Sequence, residues 1–395
     1  MYYVLFASFV LFLLLPNLKI RINASSICLL LLGVAMLIFD TLSQSSLMAM
    51  LRQFVWFCAY TLGLCFISAN NTYEQKENRV KLVLGVLGTG TFLHYILNMI
   101  INFGSETRRA RDFWSGEYTS ATAQACLACI ALSIFIAVIF TDAKRVWKIL
   151  SIVGMAIIMI YNVGVLAGRT LLFITPFLFV FAFIHQSYNK RINPFRKLFV
   201  IAFIILVIIA LYYLNVFGIK DAFEESNFYY RFFEVEGRSV FADTRVSKKL
   251  RYLHYMLNFP WGGSKLKEVV PGYAHDLYLD TYNLGGVFAL IGVGVYSFLA
   301  LFRAFRVFRN KKISFGVKQV LLCIYLSTNV MFFLEPILQG VPWLFASYCI
   351  IDGLATCLLT SARSEQHKER YKNRISIRKP DTENIKIGKG EKNED

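Results

Sequence analysis

The chain has 395 residues, of which 56% are hydrophobic and only 17% charged. A soluble domain carries about 45–50% apolar and about 25% charged residues, so this composition, with a mean hydropathy of +0.52, excludes an ordinary soluble fold. The formal charge of +17 would suggest nucleic acid in a soluble protein, but basic residues gathered in short connectors are what the positive-inside rule produces in a membrane protein. Nucleic acid is therefore not expected as a partner.

A helix needs about 20 apolar residues to cross a bilayer. Eleven segments fit that template, near 2–15, 24–39, 53–69, 82–103, 118–140, 149–167, 170–185, 198–217, 275–302, 319–334 and 341–360. The first, Tyr2 to Leu15, lacks a basic flank and a small-x-small exit, so it reads as a retained span and not a cleaved signal. Open sheets cannot cross lipid with unpaired backbone groups, and the runs are too long for barrel strands. The predicted fold is all-α, a polytopic helix bundle of about eleven spans in a lipid bilayer, without an internal repeat. All eight cysteines fall in apolar segments, and Cys126 and Cys129 have no second pair or nearby His to complete a zinc set. No metal site is expected.

Five connectors rich in Lys and Arg alternate with poorer ones: Lys19/Arg21, Lys76/Arg79/Lys81, Lys144/Arg145/Lys148, Lys190/Arg191/Arg196/Lys197, and Arg303 through Lys318. With those five inside, the C-terminus is also cytoplasmic and the long hydrophilic loop 218–275 is extracytoplasmic. The chain then divides into spans 1–217, the loop 218–275, spans 276–360 and a basic tail 361–395. That tail is too poor in apolar residues to offset its ordering entropy and reads as disordered. The external connector 104–117 holds Arg108, Arg109 and Arg111 against the charge rule. Either it meets an anionic partner, or a span boundary is misplaced.

Four outward motifs could carry chemistry. Gly168-Arg169-Thr170 joins two spans, with Thr170 able to cap the helix that follows. A helix N-terminus favours anions, and Arg169 adds a bidentate phosphate donor; the alternative is an arginine snorkelling to headgroups. Asp243-Thr244-Arg245 opens an amphipathic helix with Val246, Leu250, Leu253 and Leu257 on one stripe, halted at Pro260, Gly262 and Gly263. That stripe packs on the bundle or lies at the interface. His275-Asp276 precedes a span containing Asn283, Gly285 and Gly286; a histidine there can act as a base, with Asp276 or Asp280 orienting it, or simply hydrogen-bond at the interface. Glu335-Pro336 places an acid between two spans, costly unless solvated or paired.

Together these residues resemble the O-antigen ligase/polymerase family of membrane glycosyltransferases (Wzy-like and WaaL-like). The Arg-containing turn at Gly168-Arg169-Thr170, the loop helix from Arg245 to Pro260-Trp261-Gly262-Gly263, and His275-Asp276 before Gly285-Gly286 stand in the family's order. Asp276 replaces the usual Asn, and Lys248 stands where an aromatic is common. The resemblance implies a GT-C-like enzyme of the bacterial inner membrane that polymerises undecaprenyl-diphosphate-linked repeat units, with no metal, cofactor or nucleotide sugar. Arg169, Arg245 and His275 become the expected catalytic residues, with Arg108, Arg111, Arg251, Asp276 and Glu335 as substrate-binding candidates. Its expected partners are the lipid-linked glycan donor, a saccharide acceptor and a chain-length regulator. The alternatives are a ligase transferring finished glycan to a lipid-core or protein acceptor, and a lipid-linked oligosaccharide flippase.

Overall fold

The computed structural model describes residues 22–41, 51–65, 72–104, 109–190, 212–215, 218–225, 229–230 and 244–378. The expected span 2–15, most of 198–217, Arg108, Asp243 and the end of the tail lie outside them. The described residues form α1 (Ala24–Met36), α2 (Val55–Cys65), α3 (Tyr73–Ile101), a hairpin of β1 (Arg109–Arg111) and β2 (Tyr118–Ser120), α4 (Ala121–Ile139), α5 (Arg145–Met159) and α6 (Thr170–Lys190). After the short α7 (Ile219–Glu224) come α8 (Thr244–Met256), α9 (Gly263–Val269), α10 (Leu277–Arg309), α11 (Phe315–Leu334), α12 (Ile337–Gly340) and α13 (Pro342–Arg378).

Seven of these helices are long and apolar enough to cross a membrane, and α1 and α2 are shorter apolar helices. The chain is therefore an all-α bundle with the character of a membrane protein. Two expected boundaries move. α3 starts at Tyr73, where Thr72 and Gln75 form a reciprocal capping box, so the charged run 74–81 is its first turns and not a connector. α13 continues to Arg378, so the segment from Ser361, expected to be disordered, is helical as far as that residue.

α4, α11 and α13 are the most enclosed spans, whereas α3 and α5 are mostly uncovered. α4 can sit inside because it is built of small residues: Ala125, Cys126, Ala128, Cys129, Ala131 and Ala137 are all fully buried. Between helices in lipid the hydrophobic effect is weak, and close backbone approach supplies the attraction. The crossing of α2 and α13 shows this. A Cβ on Gly63 would lie 2.1 Å from the Ile350 carbonyl oxygen, and one on Gly353 2.3 Å from that of Tyr60. Phe288, Ile291, Phe298, Phe302 and Phe305 of α10 point outward, as do Phe173, Phe177 and Ile184 of α6. Contiguous apolar surface on this scale suits lipid and not water.

The interior is not wholly apolar. Arg303, grouped by its sequence neighbourhood with a basic connector, is buried inside the bundle. Its Nε donates to Asp352 Oδ1 at 2.7 Å, its Nη2 to Asp352 Oδ2, and its Nη1 to Ser25 Oγ at 2.6 Å. Tyr325 donates to Asp352 Oδ1 at 2.6 Å, and the guanidinium lies over the Tyr60 and Tyr296 rings at 5.7 and 6.0 Å. Asp352 is 0% exposed.

Removing one member of such a pair leaves an uncompensated buried charge, which costs about 3–5 kcal/mol, while replacing both by apolar groups is often neutral. Arg303→Met is expected to lose about that stability in denaturant unfolding of the detergent-solubilised protein. The double variant Arg303→Met/Asp352→Leu should recover most of it; equal losses in both would show that the charge pair is not the source.

Candidate functional site

α6, α8, α10 and α11 bring three of the four sequence motifs to one end of the bundle. At the Arg169 turn, Gly168 is pressed against Asn162: its N–H donates to the Asn162 carbonyl at 2.8 Å, and a Cβ there would sit 2.3 Å from Asn162 Oδ1. Only glycine fits. Asn162 also donates to the Ala121 carbonyl at 3.1 Å, which ties this turn to the start of α4. Arg169 is half-buried. Thr170 is the first residue of α6. Its hydroxyl donates to Glu335 Oε1 at 2.6 Å, and Glu335 is 0% exposed. Two motifs 165 residues apart are thus joined directly.

α11 ends at Leu334, and its last turn is where the loop helix α8 docks. Lys249 Nζ donates to the Phe333 carbonyl and to Asp276 Oδ2, the latter at 3.3 Å. The Tyr278 and Phe333 rings pack at 5.1 Å. Lys249 therefore links α8, the end of α11 and the start of α10. Asp276 is the N-cap of α10, its Oδ1 accepting from Tyr278 N at 3.0 Å and Leu279 N at 3.2 Å. An aspartate at this position caps the helix with one oxygen and holds the ammonium with the other, which an asparagine could not match.

His275 has a left-handed backbone, φ 56°, uncommon for a side-chain-bearing residue. Asp280, fully buried one turn below, accepts from Ala274 N at 2.7 Å and Asp276 N at 3.4 Å and so clamps the turn on both sides of the histidine. Asp276 and Asp280 act on His275 through its main chain. The Tyr273 ring stands 6.4 Å from the imidazole. From α8, the Tyr252 hydroxyl lies 3.1 Å from the Val270 carbonyl and 2.6 Å from that of Gly272, and it accepts from Asn283 Nδ2 at 3.2 Å. Burial, with the nearby charge of Asp280, pushes the Tyr252 hydroxyl up to about 12. It stays a donor at every physiological pH.

The two glycine motifs interlock. α10 is broken at Gly285 and Gly286, the latter at φ 65°. In the space a Gly286 side chain would need lie the Trp261 carbonyl carbon at 2.6 Å and the Pro260 oxygen at 2.7 Å, while a Gly262 Cβ would meet the Tyr282 oxygen at 2.2 Å. The break frees Val287 N to donate to the Pro260 carbonyl at 2.9 Å, and the Tyr282 hydroxyl reaches the Met256 and Phe259 carbonyls at the end of α8. The loop helix thus ends on the first turns of α10.

Arg245 stands in the first turn of α8, with its side chain outside what is described. The stripe Val246, Leu250, Leu253 and Leu257 does not pack on the bundle. All four are exposed, and α8 meets the protein through Lys249 and Tyr252 instead. Arg251 is exposed on the same helix. Arg111 is in β1, where its Nε donates to the Gly116 carbonyl at 3.1 Å and closes the hairpin. That hairpin is polar-bonded to α3: His94 Nε2 lies 2.7 Å from Asp112 Oδ2, and Asn98 Oδ1 accepts from Phe113 N at 2.8 Å. Trp114, Phe113 and Tyr118 are exposed on it.

No protein-family model matches the chain, and no curated protein matches it. Lys249 is not among the residues expected from sequence, since it lies off the apolar stripe of α8 and in none of the four motifs. Its signal was there: a lysine three residues before Tyr252, the other residue that docks α8. Among the described residues no three of His, Cys, Asp and Glu gather as a metal-binding group.

Lys249→Met keeps the apolar stem and removes the ammonium, so hydrogen exchange across 244–256 should rise by roughly tenfold, the equivalent of about 1–2 kcal/mol for a charge-assisted bond. Unchanged protection would show that the Tyr252 and Tyr282 contacts dock α8 without the lysine. At the hairpin, burial would raise the Asp112 carboxyl, but the Ser115 N–H and the His94 ring outweigh it and hold it below the usual carboxylate range. The stabilisation is therefore present above the unfolded-state pKa of about 4 and lost as pH falls through the lowered folded value. Protection of the Trp114 and Ser115 amides, which donate to Asp112 Oδ1 at 3.1 and 2.9 Å, should fall in that acid window. Asp112→Ala should be unprotected at neutral pH with no acid step.

Proposed function

We propose that the protein is a glycosyltransferase of the bacterial inner membrane that polymerises undecaprenyl-diphosphate-linked oligosaccharide units into a surface polysaccharide, working at its extracytoplasmic face. One observation supports this above the others. The Arg169 turn is bonded to Glu335, and the end of α11 beside Glu335 is bonded through Lys249 to Asp276, the neighbour of His275. Residues that phosphate recognition and hydroxyl activation would need are thereby held within one connected polar cluster at one end of an apolar bundle.

In the reaction the acceptor sugar's hydroxyl oxygen forms a bond to the anomeric carbon of the donor chain. The bond from that carbon to the diphosphate oxygen breaks, and undecaprenyl diphosphate leaves with the electron pair. Charge grows on the leaving oxygen, so fixed positive groups lower the barrier more than they stabilise bound substrate. Arg169 and Arg245 serve as those groups, and Lys249, paired with Asp276, is a further cation of α8. His275 takes the hydroxyl proton or aligns the hydroxyl for attack. Its clamped turn keeps the ring in register without a cost at each turnover. Arg251, Arg111 and Arg108 remain candidates for binding the anionic or polar parts of the glycan.

A second reading, a lipid-linked oligosaccharide flippase, is favoured by one observation, the buried Arg303–Asp352 pair, because intramembrane charges often mark transport paths. Both charges there are bidentate-paired, however, and the other singled-out groups gather at one end.

Reconstitution with a defined undecaprenyl-diphosphate oligosaccharide tests both. Wild-type protein should give lipid-linked products of graded length, and Arg169→Ala, Arg245→Ala and His275→Ala should each reduce transfer at least a hundredfold while inserting normally. Translocation of intact single units with no bond formed would favour the flippase. Wild-type chain lengths in all three variants would remove these residues from the mechanism.

A further inference from the structure

The outward face of α10 measures the bilayer. Phe288, Ile291, Val295, Phe298, Phe302 and Phe305 are exposed and recur every three or four residues, so they form one apolar stripe along the helix. From Phe288 to Phe305 the stripe is about 26 Å long at 1.5 Å per residue, close to the ~30 Å hydrocarbon core of a membrane. Both ends are marked. Beyond Phe305, the guanidiniums of Arg306 and Arg309 fold back over the Phe302 and Phe305 rings at 6.0 and 4.9 Å, as arginines at headgroup level do. On the other side of Phe288, no residue from Leu277 to Val287 is exposed, and Asp280, Thr281 and Asn283 lie buried among them. The lipid-facing surface of α10 therefore starts at the Gly285–Gly286 break and not at Leu277.

Trp261 stands at that limit. Its exposed ring packs on Phe288 at 5.6 Å and on Phe39 at 5.4 Å, and tryptophan is enriched where hydrocarbon meets headgroups. Leu257, four residues earlier, is 86% exposed, and Leu253, four before that, is exposed as well. At 3.6 residues per turn their side of α8 lies roughly 100° round the helix from Lys249 and Tyr252, the residues that hold α8 to the protein. The apolar side thus points away from the docking contacts, and Trp261 joins its end to the lipid-facing stripe of α10. The same segment exposes Arg251 and Lys265, with Glu268 the only exposed acid among the described residues of 244–270, a balance that suits lipid phosphates.

We infer that Leu253, Leu257 and Trp261 form a membrane anchor, seated in the interfacial zone of a phospholipid bilayer whose hydrocarbon begins at Phe288. The anchor fixes the end of the loop helix to the lipid surface, and it leaves the His275 turn and the first turns of α10 on the water side of that surface. The occupant follows from continuity, since Trp261 packs on a ring that itself faces lipid. The placement does not depend on which reaction the site performs.

The test places the full chain in nanodiscs of equal parts phosphatidylcholine and phosphatidylglycerol, doped with a phospholipid that carries a photoreactive diazirine at the top of one acyl chain. Lipid adducts are then mapped by peptide mass spectrometry. They are expected on Leu253, Leu257, Trp261 and the α10 stripe, and not on Tyr273, which is exposed beside His275 on the water side. Leu257→Glu should cut the adducts on Trp261 at least tenfold, because the transfer free energy of a leucine is lost and a charge is set in its place. Leu257→Met should be labelled like wild type. Leu257 is too exposed for either change to disturb packing, and undiminished adducts on Phe298 and Phe302 report that the bundle has inserted. Absence of adducts on Leu257 and Trp261, or a Leu257→Glu chain labelled like wild type, overturns the anchor. Equal labelling of Tyr273 and Trp261 overturns the position of the surface. Discs holding one chain and discs holding two should give the same yield; adducts on Leu257 that fall in the two-chain discs would assign the stripe to a second copy and overturn the proposal.

Discussion

Arg303 and Asp352 set two opposite charges among apolar helices, and most of the bundle is arranged so that this costs little. A guanidinium and a carboxylate out of water are each penalised by several kcal/mol, and only good geometry with further hydrogen bonds repays it. Asp352 receives two nitrogens of Arg303 and the hydroxyl of Tyr325. Arg303 also reaches Ser25 and stacks over Tyr60, whose own hydroxyl touches Asn23 and Thr356. α1, α2, α10, α11 and α13 each contribute, so none can rotate or slide without breaking a buried polar contact. In a bundle whose apolar faces would pack in many registers, this network selects one.

That constraint reaches the functional end through α10. Some 28 residues separate Arg303 from His275, about 40 Å at 1.5 Å per residue, so the anchored half of α10 cannot itself orient the histidine. The break at Gly285 and Gly286 makes the first two turns an independent piece. They are positioned locally instead, by the Pro260–Gly262 segment lodged against the break and by Tyr252 and Lys249 from α8. The loop helix leaves its outer stripe of Val246, Leu250, Leu253 and Leu257 uncovered. An apolar stripe facing away from the protein is stable where it meets the interfacial zone of a bilayer.

Apolar length made the spans legible in sequence, and the punctuation at Pro260–Gly263 made the end of the loop helix legible, whereas its contact with the Gly285–Gly286 break appears only in the structure. What escaped was long-range pairing. Asp352 is flanked by Ile350, Ile351 and Leu354, so a hydropathy window absorbs it. Arg303 sits three residues before Arg306, and one-dimensional counting assigns it to the connector. Lys249 escaped for a related reason: periodicity reports which face is apolar, and of the two placements open to that stripe, packed on the bundle or at the interface, the exposed one leaves docking to the polar face. The substitution of Asp for Asn at residue 276 looked like a weakness in the motif. With Lys249 beside it, it is one half of an ion pair.

The chemistry of the site follows from how its charges are held. Glu335, fully buried, and Asp276 and Asp280 at the head of α10 would oppose an anionic substrate if they were free to face it. Glu335 takes the Thr170 hydroxyl, Asp280 binds two backbone N–H groups, and Asp276 divides its oxygens between a helix cap and Lys249. These carboxylates are thus committed to contacts within the protein. Holding a histidine at φ 56° needs such a clamp. The two aspartates therefore fix the turn that carries His275: Asp280 binds the amides on either side of it, and Asp276 caps α10 while pairing with Lys249.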